Sequence, residues 1–337
     1  PAAIDKYMVA AVAGSDSNMC TVLAIDKKEE FKFSPDHLKP ESTNSWRNYV
    51  LGVVAEIQKT GKSVPPFNLV FGGDIPEGAG LSSSAALENS IVFALNELFD
   101  LKLSKHEMMI ISQKAEHNFA AVQCGIMDQY ASMFGQEDHA LFLDCQTLES
   151  QPIKIDLEPY QLVLINSNVK HNLAENAYNE RRSLCEKASK LLGIPALRDA
   201  SLEDIEKLKV TLTQDDYLKI QFVVQENLRV LKAVKLLNKN YIAEFGQLLF
   251  EAHAGLRDHY KVSCEEIDFL VDLALKDPAV VGARMMGGGF GGCTINLVEK
   301  HKVDHFVEET KNAYHTKFNR SCSDYQVMLT NGTQLIE

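Results

Sequence analysis

The sequence predicts an α+β protein built as two domains, and three observations carry that reading. Its 337 residues exceed the usual size of one domain. Short apolar, strand-like runs alternate with amphipathic helices up to about residue 170. From 177 to 275 long charged amphipathic helices dominate, after which mixed structure returns, with strands near 293–298 and 325–329. The expected domains are therefore 1–170 and 171–337.

Residues 1–14, PAAIDKYMVAAVAG, end in an apolar run with no helix cap, which reads most simply as a buried strand, and a second strand fits 18–25. Over 45–59, Trp46, Tyr49, Val50, Val53 and Ile57 recur at helical spacing. Phe67, Leu69 and Phe71 alternate with Asn68 and Val70 as in a strand. That strand leads into PEGAGLSSSAALENS at 76–90, and the helix starting inside this stretch places Leu87, Ile91, Ala94, Leu95 and Leu98 on one face. Ser104 and Glu107 form a capping box for a helix running to about residue 119. A short helix at 128–134 precedes a strand at 140–143, and an apolar strand at 161–166 closes the first domain.

Composition excludes several classes of function. With 45% hydrophobic and 24% charged residues the chain reads as globular and water-soluble. No apolar run reaches the roughly 18 residues that suggest a membrane span, and no signal-peptide pattern opens the chain, so a cytoplasmic protein without a membrane partner is expected. Seven cysteines show no CxxC pair and no metal-ligand spacing, and are expected to be reduced thiols. A net charge of −12 argues against a nucleic-acid partner. It does not exclude a phosphorylated ligand, which backbone N–H groups and a metal ion can hold inside an acidic protein.

The chemistry concentrates in three places. In 76–90 a strand, a glycine-rich turn and a helix follow one another, which sets free N–H groups at the positive end of a helix. Two readings stay open there: a serine-capped helix after a turn, or a cradle for phosphate. Neither GxxxxGK[ST] nor GxGxxG is present. The run ARMMGGGFGGCTINLV at 283–298 packs Gly287, Gly288, Gly289, Gly291 and Gly292 around Phe290, more glycine than a tight hairpin needs. Between the two runs, Glu116 stands near the end of one helix and Asp128 opens the next, after Gly125. A carboxylate for a metal and a carboxylate for a reacting hydroxyl are what phosphoryl transfer from a magnesium nucleotide requires. Each, taken alone, also suits a solvated helix surface.

Together these residues resemble the GHMP small-molecule kinases. PEGAGLSSSAALE resembles the second signature motif of that superfamily and RMMGGGFGGC the third, although Met286 stands where many members of the closest branch carry threonine. GIMDQYASMFGQEDHALFLDC, VKHNLAENAYNERRSLCE and LRDHYKVSCEEID resemble that branch, the galactokinases. The resemblance implies a ribosomal protein S5 domain 2-like N-terminal lobe and a ferredoxin-like C-terminal lobe, with the site in a cleft between them. It implies ATP-dependent phosphorylation of galactose at the C1 hydroxyl by a monomer. Gly78, Ala79, Gly80, Leu81, Ser82, Ser83 and Ser84 would wrap the nucleotide phosphates, with Ser84 and Glu116 holding Mg2+. Asp128 would be the catalytic carboxylate at the sugar hydroxyl, with Gly125, Tyr178 and Gly288 as further sugar contacts. Trp46 is assigned beside the adenine, against the simpler reading of a core tryptophan on an amphipathic helix.

The family's first motif, which carries an arginine and a GEH-type stretch, has no counterpart here, and its place would be just ahead of the strand that begins PAAID. The expectation is that the complete protein is an active kinase while the chain as written is inactive alone. Two rival readings are a non-catalytic sensor of galactose and ATP with this fold, and a sister kinase acting on N-acetylgalactosamine.

Overall fold

Two four-stranded sheets organise the chain in a computed structural model, which describes residues 1–41, 45–76, 78–169 and 174–336, with 174–176 and 178 described as backbone only. The chain forms two compact units. Unit 1 comprises Pro1–Glu77, Leu81–Ile153 and Met328–Glu337, and unit 2 comprises Gly78–Gly80 and Lys154–Val327.

Unit 1 contains β1 (Met8–Gly14), β2 (Cys20–Ala24), β3 (Glu29–Phe33), α1 (Trp46–Lys59), β4 (Phe67–Gly73), α2 (Ser83–Phe99), α3 (Lys105–Asn118), α4 (Met127–Phe134) and the paired strands β5 (His139–Leu143) and β6 (Ser150–Lys154). Its sheet runs β1-β4-β2-β3, with β4 antiparallel to β1 and parallel to β2. The period-2 pattern of β4 works as expected: Phe67, Leu69 and Phe71 enter the core while Asn68 and Val70 face away. That core continues through Ile57, Ile91, Leu95 and Met109 of the three long helices. α1 and α3 approach closely at Gly52, where a Cβ would stand 2.9 Å from that of Ala115. Ser45 caps α1, its Oγ accepting from Arg47 N at 3.3 Å, and the Ser104–Glu107 capping box opens α3 as expected.

Two expectations need correction here. β1 is an edge strand rather than a buried one, with Val9 45% exposed, because its small apolar residues pack on one face only. β3, EEFKF, was not expected as a strand. It is the other edge of the sheet, where Glu29, Glu30 and Lys32 lie exposed, and that polarity hides its period.

Unit 2 contains β7 (Tyr160–Asn166), α5 (Ala174–Leu192), α6 (Leu202–Glu206), α7 (Gln214–Leu237), α8 (Ile242–Gly255), α9 (Glu265–Lys276), β8 (Val280–Met285), β9 (Cys293–Glu299), α10 (Val303–Phe318) and β10 (Ser323–Val327). Its sheet is antiparallel throughout, in the order β10-β7-β9-β8. β7 is an interior strand of this sheet, so the segment expected to close the first domain belongs to the second. The division falls after Ile153 rather than near 170. α8 crosses β8 at Gly246 and Gly282 with backbone directly against backbone. Tyr314 of α10 is fully buried, and its hydroxyl donates to Ser167 O at 2.8 Å.

The chain then returns to unit 1. Lys105 Nζ donates to Met133 O at 3.3 Å and Thr333 O at 3.0 Å, while Thr330 N donates to Ala3 O and Gly332 N to Gly135 O.

Candidate active site

In unit 1 the turn after β4 delivers the chain to α2 through Ser82, whose backbone is left-handed (φ 55°). Of the two readings left open for this stretch, a serine-capped helix is not what stands at the N-cap: Ser82 makes no side-chain bond to the first turn. The leading amides of α2 lack the carbonyl partners of the helix interior, so its positive end remains available to an anion.

Ser84 lies in the first turn, and its Oγ donates to Glu116 Oε1 at 3.1 Å. Glu116 is 6% exposed near the end of α3. Its second oxygen accepts from Gln129 Nε2 at 2.7 Å and from Cys124 Sγ at 3.4 Å. Burial pushes the Glu116 carboxyl up, the hydrogen bonds from Ser84, Cys124 and Gln129 hold it back, and the Asp128 charge adds to the rise. Asp128 itself is exposed in the first turn of α4, with the exposed Gly125 just ahead of that helix. α2 and α4 are tied by Asn89 Nδ2, which donates to the backbone carbonyl of Gln129 at 2.9 Å.

Ser84 Oγ and Glu116 Oε1 are both hard oxygen donors, and among the described residues no group of three or more His, Cys, Asp or Glu could hold a metal ion. Mg2+ suits such a pair, because it is held by one or two protein oxygens and completes its shell with phosphate oxygens and water.

In unit 2 the second glycine run packs against Gly78–Gly80. A Cβ on Gly292 would stand 3.1 Å from Ala79 O, and one on Gly287 3.5 Å from Gly80 O. Gly292 also has φ +75°, which L side chains resist. The abundance of glycine thus has two causes: close approach to the 78–80 segment, and a turn held by Phe290 N donating to Val262 O at 2.8 Å. A Cβ on Gly288 would meet nothing within 4 Å.

The remaining assignments fare differently. Trp46 lies in the core of unit 1, 8% exposed, edge-on to Phe31 and Phe71, with Nε1 donating to Glu29 Oε2 at 3.1 Å; these contacts are those of the core reading. Tyr178 belongs to α5, but its side chain falls outside the described residues. Its neighbour Arg181 ties α5 to the chain after α8, with Nε donating to Tyr260 O at 3.0 Å. The sequence reading missed Glu88, Asn89 and Gln129, all fully buried around Glu116 and Asp128. A signal existed for two of them: Glu88 follows Ser84 by one helical turn, and Gln129 directly follows Asp128.

Comparison with known proteins places the chain in a family. The profile for the GHMP kinases N terminal domain matches residues 48–136, and that for the GHMP kinases C terminal matches 233–316. The chain is 40% identical to the galactokinase of Thermotoga petrophila over 336 residues, covering 100% of this chain and 93% of that protein. It is 40% identical to the galactokinase of Clostridium acetobutylicum, covering 99% of this chain and 87% of that protein. Its fold matches the crystal structure of Lactococcus lactis galactokinase complexed with galactose, with a TM-score of 0.94, 31% identity, and coverage of 99% of this chain and 88% of that one. Among the described residues no helix is long and apolar enough to cross a membrane. The chain has the GHMP kinase fold and belongs to the galactokinase family of kinases.

Proposed function

We propose that this protein transfers the γ-phosphoryl group of ATP to the C1 hydroxyl of galactose, yielding galactose 1-phosphate and ADP. The observation that carries the reading is the Ser84–Glu116 pair, set at the uncapped start of α2 with Asp128 on the helix tied to it. The family supplies the substrates, since the related Lactococcus lactis structure holds galactose.

Phosphoryl transfer asks the protein mainly to position the reactants and to neutralise charge. The amides at the start of α2, with Gly78–Gly80 and Leu81–Ser84, receive the phosphates. Ser84 and Glu116 would hold Mg2+, which would supply positive charge to offset that of the phosphates. Asp128 holds the C1 hydroxyl and accepts its proton as the C1 oxygen forms a bond to the γ-phosphorus and the bond to the β-phosphate oxygen breaks. Gly125, next to α4, lines the sugar side, and Tyr178 and Gly288 keep their sugar assignments on the family resemblance alone.

The test is ADP release by the natural full-length protein with galactose or N-acetylgalactosamine as acceptor. Galactose-dependent release is expected, and its absence would overturn the proposal. In the same assay Ser84→Ala is expected to raise the KM for magnesium-ATP by roughly 10–100-fold while galactose binding by calorimetry changes less than about twofold. Equal weakening of both ligands would remove Ser84 from the metal and phosphate side.

A further inference from the structure

The helix that carries Asp128 depends on distant residues at its far end. α4 has eight residues, about 12 Å of helix, and no basic residue in its last turn. The last four carbonyls of a helix lack donors within it. Gly135 N serves Ala131 O at 2.9 Å, and the next two carbonyls are met by the end of the chain and by α3. Thr333 donates twice to Ser132 O, from its backbone N at 2.7 Å and from Oγ1 at 2.9 Å. Lys105 Nζ, at the start of α3, donates to Met133 O at 3.3 Å and to Thr333 O at 3.0 Å. Its charge thus stands at the negative end of the α4 dipole, where a cation is stabilising.

The tail lies directly on the turn that follows α4. Gly332 N donates to Gly135 O at 2.8 Å, and Glu137 N donates to Asn331 Oδ1 at 3.1 Å. A Cβ on Gly332 would stand 2.8 Å from Met133 O and from Gly135 N, so only glycine permits this approach. The tail is anchored in its turn by Thr330 N, which donates to Ala3 O at 3.0 Å, and by a bridge between Leu329 and Ile4. At the near end of α4 the N-cap, Ile126, offers no side-chain bond. Ser132 follows Asp128 by one helical turn, and a helix this short moves as one body, so freedom at Ser132 becomes displacement at Asp128.

We propose that the C-terminal tail is a positioning element for phosphoryl transfer: Thr333, with Lys105, fixes the far end of α4 and thereby the place of Asp128 at the acceptor hydroxyl. The inference rests on the role of Asp128 given under Proposed function. A displacement of about 1 Å at a reacting group can cost on the order of 100-fold in rate.

In the natural full-length protein, deletion of 330–337 is expected to lower kcat by roughly 10–100-fold, while the KM for magnesium-ATP and calorimetric galactose binding stay within about threefold. In an Asp128→Asn background the same deletion is expected to lower the residual kcat by less than about threefold, because little is left to position. Normal kcat in the deletion variant, or multiplicative losses in the double variant, would overturn the proposal. If the deletion variant does not fold, Lys105→Met and Lys105→Arg read the same contact from the other side. Lys105→Met is expected to lower kcat by roughly 3–10-fold, and Lys105→Arg, which keeps a cationic donor for the two carbonyls, to recover most of it. Equal loss in both, or no loss in Lys105→Met, overturns the proposal. Normal turnover in Asp128→Asn alone removes the role of Asp128 itself, whereas a slow Asp128→Asn beside a deletion variant with normal kcat removes only the tail.

Discussion

Asp128→Ala in the natural full-length protein is expected to reduce galactose-dependent turnover by at least about two orders of magnitude. Alanine removes both the acceptor for the hydroxyl proton and the group that aims the hydroxyl at the phosphorus. Asp128 is exposed and tied to the fold through its neighbours, so the protein should still fold and still bind magnesium-ATP. Steady-state ADP release, with nucleotide binding measured separately, checks both halves. Turnover within about threefold of wild type would exclude Asp128 from the reaction, since a positioned acid–base group contributes roughly 100-fold or more.

The second large effect lies away from the chemistry. Gly282→Ala is expected to destabilise unit 2 by roughly 3 kcal/mol, the upper end of the usual range for overpacking. The added methyl would fall inside the van der Waals radius of Gly246 backbone atoms, and a methyl on Gly246 would meet the Val281 carbonyl in the same way. Neither neighbour is a side chain that can rotate aside, so α8 and β8 must separate. For a unit of this size that corresponds to a fall in melting temperature of roughly 6–12 °C. Gly14→Ala is the control: nothing lies within 4 Å of its added methyl, and its φ is not in the left-handed range. Its effect should stay within about 0.5 kcal/mol. Equal melting temperatures for the two variants would show that the helix and strand yield more readily than their spacing implies.

These two residues mark what the sequence made legible. Asp128 could be picked out because it sits in GIMDQYASMFG, between two glycine-bearing motifs, and the capping box at Ser104 fixed the start of the helix that ends near Glu116. Gly282 could not. It interrupts VVGARM, hides the strand period of β8, and owes its place to a contact with a residue 36 positions earlier. β7 was recognised as a strand but assigned to the wrong domain, because its apolar run states that it is buried and not which strands flank it. Gln129 was passed over although it directly follows Asp128, because nothing in the sequence marks that its amide is buried with partners from three different helices or turns.

The return of 328–337 to unit 1 makes unit 2 an insertion rather than a second bead on a string. Everything from Lys154 to Val327 is synthesised before the segment that pairs with Ala3 and Gly135 exists, so unit 1 emerges first and is completed last. A single protease cut after Ile153 would not free unit 2, because its other end still runs into unit 1. Swapping either unit between relatives would require two junctions, at 153/154 and 327/328, together with the short 78–80 segment that unit 2 borrows from the middle of unit 1.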